Sequence, residues 1–137
     1  MNKLSIKGVL FGVFANIAGS TIARLVILVI YGNRVIIKDM TDQELTEAMG
    51  TVIQGNDFIA AVMVAGLICT AIGGYIAARV AKQAIYLNSG MVGLVGVSIF
   101  LGYLFSGETP LQFNIIGAIL VIPAALLGGH LAKSTVT

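Results

Sequence analysis

Arg24 is the one formally charged residue well inside any long apolar stretch of this sequence. A guanidinium keeps its proton at every ordinary pH. In hydrocarbon it must find an anion, water or polar partners, so an intramembrane arginine is a functional candidate by default. Asn16 and Ser20 precede it at intervals of four, which places the three on one drifting face of an α-helix. This trio offers a fixed positive charge, an amide and a hydroxyl: the chemistry of anion or small-solute binding. Nothing in it is nucleophilic or redox-active. No carboxylate pair, Ser/His/Asp set or metal-ligand cluster is visible elsewhere, and the chain has one His, one Cys and no Trp. The expectation is a protein that is not an enzyme and holds no cofactor or metal. Gly90, Gly93 and Gly96 lack the lysine and threonine of a phosphate loop and lie in a hydrophobic run.

The elements that must carry these residues follow from composition. The chain has 137 residues, 58% hydrophobic and only 10% charged, with mean hydropathy +1.00. A soluble domain has about 25% charged residues, and a chain this short has too much surface to hide so much apolar material from water. Its bulk solvent is lipid. A formal charge of +2 is too small to imply a nucleic-acid partner. Four stretches, residues 8–31, 58–78, 89–106 and 113–132, reach the roughly 20 apolar residues that a membrane helix needs. The expected fold is all-α: an integral membrane four-helix bundle forming a single membrane domain over 1–137. Lys3, Lys7, Arg79, Lys82 and Lys133 fall on one side of that bundle. Arg34 and Lys38 fall on the other, diluted by Asp39, Asp42, Glu44, Glu47, Asp57 and Glu108. The positive-inside rule then predicts cytoplasmic termini in a cell inner membrane.

Residues 32–57 form the one long polar stretch. Thr41-Asp42-Gln43-Glu44 fits a capping box, and Leu45, Ala48, Met49, Val52 and Ile53 follow at one-face spacing. This predicts an amphipathic helix over 42–53 in the first extracytoplasmic loop. Leu45, Met49 and Val52 would pack on the bundle end or dock a partner. Val35-Ile36-Ile37 either extends the first span or forms an extended link. Asp57 is placed to cap the second span, and Arg24 has Asp57 and Glu108 as available structural partners.

In lipid, helices associate through small residues that let backbones approach. Gly8 and Gly12 continue the Asn16–Ser20 spacing backwards, and the second span carries Gly66, Gly73 and Gly74. The fourth carries Gly128 and Gly129 after Pro123, where a kink is expected. The pairs Gly73-Gly74 and Gly128-Gly129 suggest a duplicated helical hairpin.

Gly73-Gly74-Tyr75-Ile76-Ala77-Ala78-Arg79-Val80-Ala81 and Pro123-Ala124-Ala125-Leu126-Leu127-Gly128-Gly129 resemble the signatures G-G-Y-x-A-x-R-x-A and P-A-A-L-L-G-G of a group of small bacterial inner-membrane proteins. The resemblance covers about 57–133 and implies a four-span fold in a bacterial inner membrane, with no activity attached. Small multidrug exporters are built around a glutamate in span one, where this chain has Asn16 and Arg24. Fluoride channels have a threonine- and phenylalanine-rich break in span three, which is absent here. The leading functional expectation is a non-catalytic accessory or interaction protein, a subunit of a larger complex or of immunity type. Its partners would be the lipid bilayer and another membrane protein or a second copy, not nucleic acid. The alternative is a small oligomeric channel or transporter using Arg24, Asn16 and Ser20.

Overall fold

The computed structural model describes residues 4–36, 38–107 and 109–134. Among these the regular structure is helical: α1 Ile6–Gly32, α2 Asp42–Gln54, α3 Asn56–Ala81, α4 Ile85–Ser106 and α5 Leu111–Ser134. The four helices other than α2, of 27, 26, 22 and 24 residues, are long and apolar enough to cross a membrane. At 1.5 Å per residue even the shortest spans about 33 Å, enough for roughly 30 Å of hydrocarbon. The chain is a multi-pass membrane protein.

Local chemistry sets the ends. The Ser5 hydroxyl accepts the Gly8 N–H and caps α1. Thr41 opens α2 with both halves of a capping box. Its hydroxyl accepts the Glu44 N–H at 3.4 Å, and the Glu44 carboxylate takes the Thr41 N–H and O–H at 2.8 Å each. Those two bonds, the backbone one first, hold the Glu44 carboxyl below the usual carboxylate range. Gly55 ends α2 and precedes α3 without any side-chain cap; Asp57 stands in the first turn of α3 and does not cap it, contrary to expectation. After α1, residues 33–35 form a turn and Ile36 is outside the helix, while Ile37 lies outside the described residues, as do Lys3 and Glu108. Between α3 and α4, Lys82 and Ala84 are both left-handed. Asn88, fully buried, holds this turn: its amide donates to the Gln83 and Ala84 carbonyls at 3.0 Å and accepts the Ser5 N–H at 2.7 Å. Three chain segments meet on that one side chain. The helix α5 continues through Pro123, which faces outward.

α3 is the hub, touching α1, α4 and α5, whereas α1 and α5 make no contact. The interior is made of small side chains and the exterior of large ones: Ala77 is 0% exposed and Phe14 72%. That inversion of a soluble core is what lipid demands, because apolar bulk gains nothing by leaving lipid whereas backbones gain by approaching. A Cβ on Gly12 would stand 2.5 Å from the Gly73 carbonyl oxygen, and one on Gly73 would stand 2.6 Å from that of Gly12. Gly8 meets the Ala77 carbonyl in the same way. Gly74 faces Ala125, Gly128 faces the Ala71 carbonyl and Gly129 faces Ser89, all without room for a methyl group. Gly66 departs from the expectation of a packing role. A Cβ there meets nothing within 4 Å, because the helices have diverged at its level. The two glycine pairs lie on α3 and α5, which pack on each other. A strict two-fold between the hairpins α1–α3 and α4–α5 fails, since α4 reaches α3 but α1 does not reach α5.

Candidate functional site

The glycines of α1 and α3 that press on a neighbouring backbone, Gly8, Gly12, Gly73 and Gly74, lie toward the end of the bundle that carries the two chain termini, whereas Gly19, farther along α1, meets only the Cys69 side chain. Toward the α2 end the helices separate around a chamber of about 460 Å³, lined by all four long helices and roofed by Ile53 of α2. Arg24, Asn16 and Ser20, named from spacing alone, all line it.

Its floor is polar. Asn16, 5% exposed, accepts hydrogen bonds at Oδ1 from the Thr70 hydroxyl at 3.2 Å and the Ser20 hydroxyl at 3.3 Å. Thr70 Oγ1 also lies 2.9 Å from the Gly66 carbonyl, so its one proton is shared. The Asn16 amide nitrogen has no partner among the described residues, yet no fully occluded polar atom there lacks a partner. The nitrogen therefore opens on the chamber. With the amide turned round, the oxygen would take its place, so either assignment leaves one polar atom for an occupant. Below this floor, Gly12, Gly73 and Val92 close the space.

The mouth lies one helix level higher. α1 and α4 run in the same direction, with Gly12 beside Val92 and Ser5 beside Asn88; α4 and α5 run oppositely, with Gly96 on Val121 and Phe100 on Gly117. Carried outward, that register brings Arg24, Tyr103 and Asn114 to about one level. Arg24 is eight residues from Asn16, which makes the chamber roughly 12 Å deep along α1. Arg24 is exposed and makes no hydrogen bond or ion pair among the described residues. Asp57 is not its partner; the Asp57 carbonyl faces the Tyr31 hydroxyl instead, at 3.5 Å. Asn114, 4% exposed, donates to the Thr109 carbonyl at 3.2 Å, and its Oδ1 has no partner among the described residues. The walls between mouth and floor are apolar: Ile59, Val62, Met63, Ile99, Phe100 and Phe113. A fixed cation above, an amide below and apolar walls between can orient a molecule that has one charged end. No three His, Cys, Asp or Glu side chains gather as a metal would require among the described residues.

The residues expected to meet a partner face inward. Val52 is buried, Leu45 and Met49 are half-buried, and the Met49 sulfur lies 3.3 Å from where a Gly32 Cβ would stand. Phe58, 3% exposed, sits under this corner edge-on to the Tyr31 ring. At the terminal end, Tyr86 hydrogen-bonds His130 at 3.0 Å and lies under the Lys133 ammonium, while Arg79 covers Tyr75. Thr70, Asn114 and Asn88 were missed by the sequence reading. Asn114 had a signal, being a lone amide in an apolar run. Thr70 and Asn88 are defined by helix neighbours that spacing does not reveal.

No protein-family model, curated protein or solved structure matches this chain.

Proposed function

We propose that this chain is a non-catalytic membrane protein that receives a small anion-bearing solute in the chamber at its α2 end, as the substrate-receiving part of a small carrier or channel. In this reading α2 is an amphipathic helix on the extracytoplasmic side, both termini are cytoplasmic and the membrane is a bacterial inner membrane, as the lysine and arginine distribution and the G-G-Y-x-A-x-R-x-A resemblance support. The observation that carries the proposal is the convergence of four helices on a closed-bottomed space with an arginine at its mouth that has no ion-pair partner among the described residues. A volume near 460 Å³ falls in the range of small-molecule sites, roughly 300–1,000 Å³. The interaction-protein reading keeps one supporting feature, the exposed acidic surface of Asp42, Glu44 and Glu47 on α2. It ranks second because Met49 and Val52 are turned onto the chain itself.

The test is labelling of single cysteines in a Cys69→Ala background with a membrane-impermeant maleimide. Arg24→Cys and Ser20→Cys should react from the α2 side only, and Ala77→Cys, below the floor, should not react. Silence at positions 24 and 20, while Thr51→Cys on α2 reacts, would overturn the proposal.

A further inference from the structure

We infer that the chamber takes a single-chain amphiphilic anion, entering sideways between α1 and α4, with its head at Arg24 and its apolar body lying down toward Asn16. This rests on the chamber being a receiving site and goes further by naming the class of occupant and its route.

The route comes from where α1 and α4 touch. Their close contacts, Ser5 with Asn88 and Gly12 with Val92, lie toward the terminal end. Beyond that level both helices line the chamber, yet Ile17 on α1 is 48% exposed, Ile99 on α4 39% and Tyr103 37%. α1 touches α4 far less than it touches α3, so the wall between α1 and α4 is incomplete. At this depth in a membrane-spanning helix the outside is lipid, so the gap admits molecules already dissolved in the bilayer. A bulky polar solute would have to cross hydrocarbon to use it.

The class of occupant comes from the lining. Apolar side chains from α1, α3, α4 and α5 make the walls, and they suit a hydrocarbon body. The charge at the mouth is a guanidinium with no carboxylate on it among the described residues. A guanidinium at membrane depth needs an anion, water or polar partners, and an anionic head serves it best, through charge-assisted hydrogen bonds. Carboxylate and phosphate heads share this chemistry. A cationic amphiphile would meet like charge at the same place. The roughly 12 Å between Arg24 and Asn16 is under half the hydrocarbon thickness, so the body accommodated is one chain of modest length. The polar atom that Asn16 turns to the chamber is left for a water or a polar atom at the tail end.

The chain has no tryptophan, which makes a single introduced one a clean reporter. Phe113→Trp places it on the chamber wall. In phosphatidylcholine nanodiscs, an anionic amphiphile brominated close to its head group should quench this fluorescence saturably. Unlabelled decanoate should restore it, and decyltrimethylammonium should not. Arg24→Gln should weaken the saturable component about ten- to a hundredfold, the worth of a hydrogen bond to a charged group. Gly66→Leu should abolish it, because Gly66 lines the chamber and a Cβ there meets nothing within 4 Å, so the added side chain takes up chamber space. Adding lysophosphatidylglycerol, a single-chain anionic membrane lipid, to the discs separates the sources. Competition by that lipid assigns the head to a membrane lipid, and displacement by decanoate alone assigns it to a free amphiphile; either supports the inference. Non-saturable quenching that is equal in all variants, or preference for the cationic amphiphile, overturns it. If positions 24 and 20 still label with maleimide in that case, the receiving chamber stands and only the class of occupant falls.

Discussion

Replacing Gly12 by alanine tests whether the terminal half of the bundle is sealed as described. The new Cβ would lie 2.5 Å from the Gly73 carbonyl oxygen, 2.8 Å from the Ala77 methyl and 2.9 Å from a Val92 methyl. Ordinary contact begins near 3.4 Å, so α1 would have to withdraw from α3 by 3.4 − 2.5 = 0.9 Å. It cannot simply slide away, because Val92 of α4 stands within the same reach. Overpacking of this kind costs about 1–3 kcal/mol. Against it stands the gain from replacing a mid-helix glycine by alanine, about 0.5–1 kcal/mol. Gly66→Ala supplies the control, since it keeps the gain and meets nothing within 4 Å. The difference between the two variants therefore isolates the clash, and Gly12→Ala should be less stable than Gly66→Ala by about 1–3 kcal/mol. Reversible unfolding by dodecyl sulfate titration in mixed micelles, followed by far-UV circular dichroism, measures it. Equal stability of the two variants, or a less stable Gly66→Ala, would refute the account of a tight terminal half and an open α2 half.

Asn88→Ala removes one acceptor and one two-bond donor from a fully buried position, leaving the Ser5 N–H and the Gln83 carbonyl without partners, while the Ala84 carbonyl keeps the backbone N–H of residue 88. With about 1–3 kcal/mol for each buried group left unpaired, partly relieved by water at the helix ends, a loss of about 2–4 kcal/mol is expected in the same titration. A loss below about 0.5 kcal/mol would show that the side chain is not the tie described here. Acidification should loosen α2. The Glu44 carboxyl is held below its ordinary range by Thr41, so its contribution is present above the unfolded value and is lost as pH falls through the lowered folded value. Hydrogen exchange over residues 42–54 should accelerate in that window and in Thr41→Ala at neutral pH; unchanged protection in both would remove the capping box as the cause.

The long helices were legible because lipid imposes one demand, an apolar run of sufficient length, and each run begins and ends within four residues of its helix. The helix α2 was legible because its start is a local hydrogen-bond pattern contained within Thr41–Glu44. Arg24, Asn16 and Ser20 could be grouped because they share one helix. What pairs with them could not. Asn16 meets Thr70 from 54 positions away, and Asn114 comes to the level of Arg24 only through two successive helix registers. Glycine rows misled in one respect: Gly66 has the composition of a packing site and the surroundings of a void. A small residue permits close approach, but its neighbours decide whether approach occurs.

Those neighbours show a gradient that makes the chamber. On the terminal side of Asn16, Gly8, Gly12, Gly73, Gly74 and Gly128 bring backbone onto backbone, and Gly129 rests on the small Ser89 side chain. On the α2 side the chamber lining includes Phe58, Phe100, Tyr103 and Phe113, bulky rings where the terminal side has glycine. A bundle built for adhesion alone would carry its small residues through both halves, since each close crossing in lipid adds dispersion contact at no cost in apolar burial. Here the backbone-on-backbone crossings on α1 end near the level of the Asn16 amide, and about two turns above stands an arginine with no ion-pair partner among the described residues. Among the described residues that charge has no protein partner, and an anionic occupant would complete it.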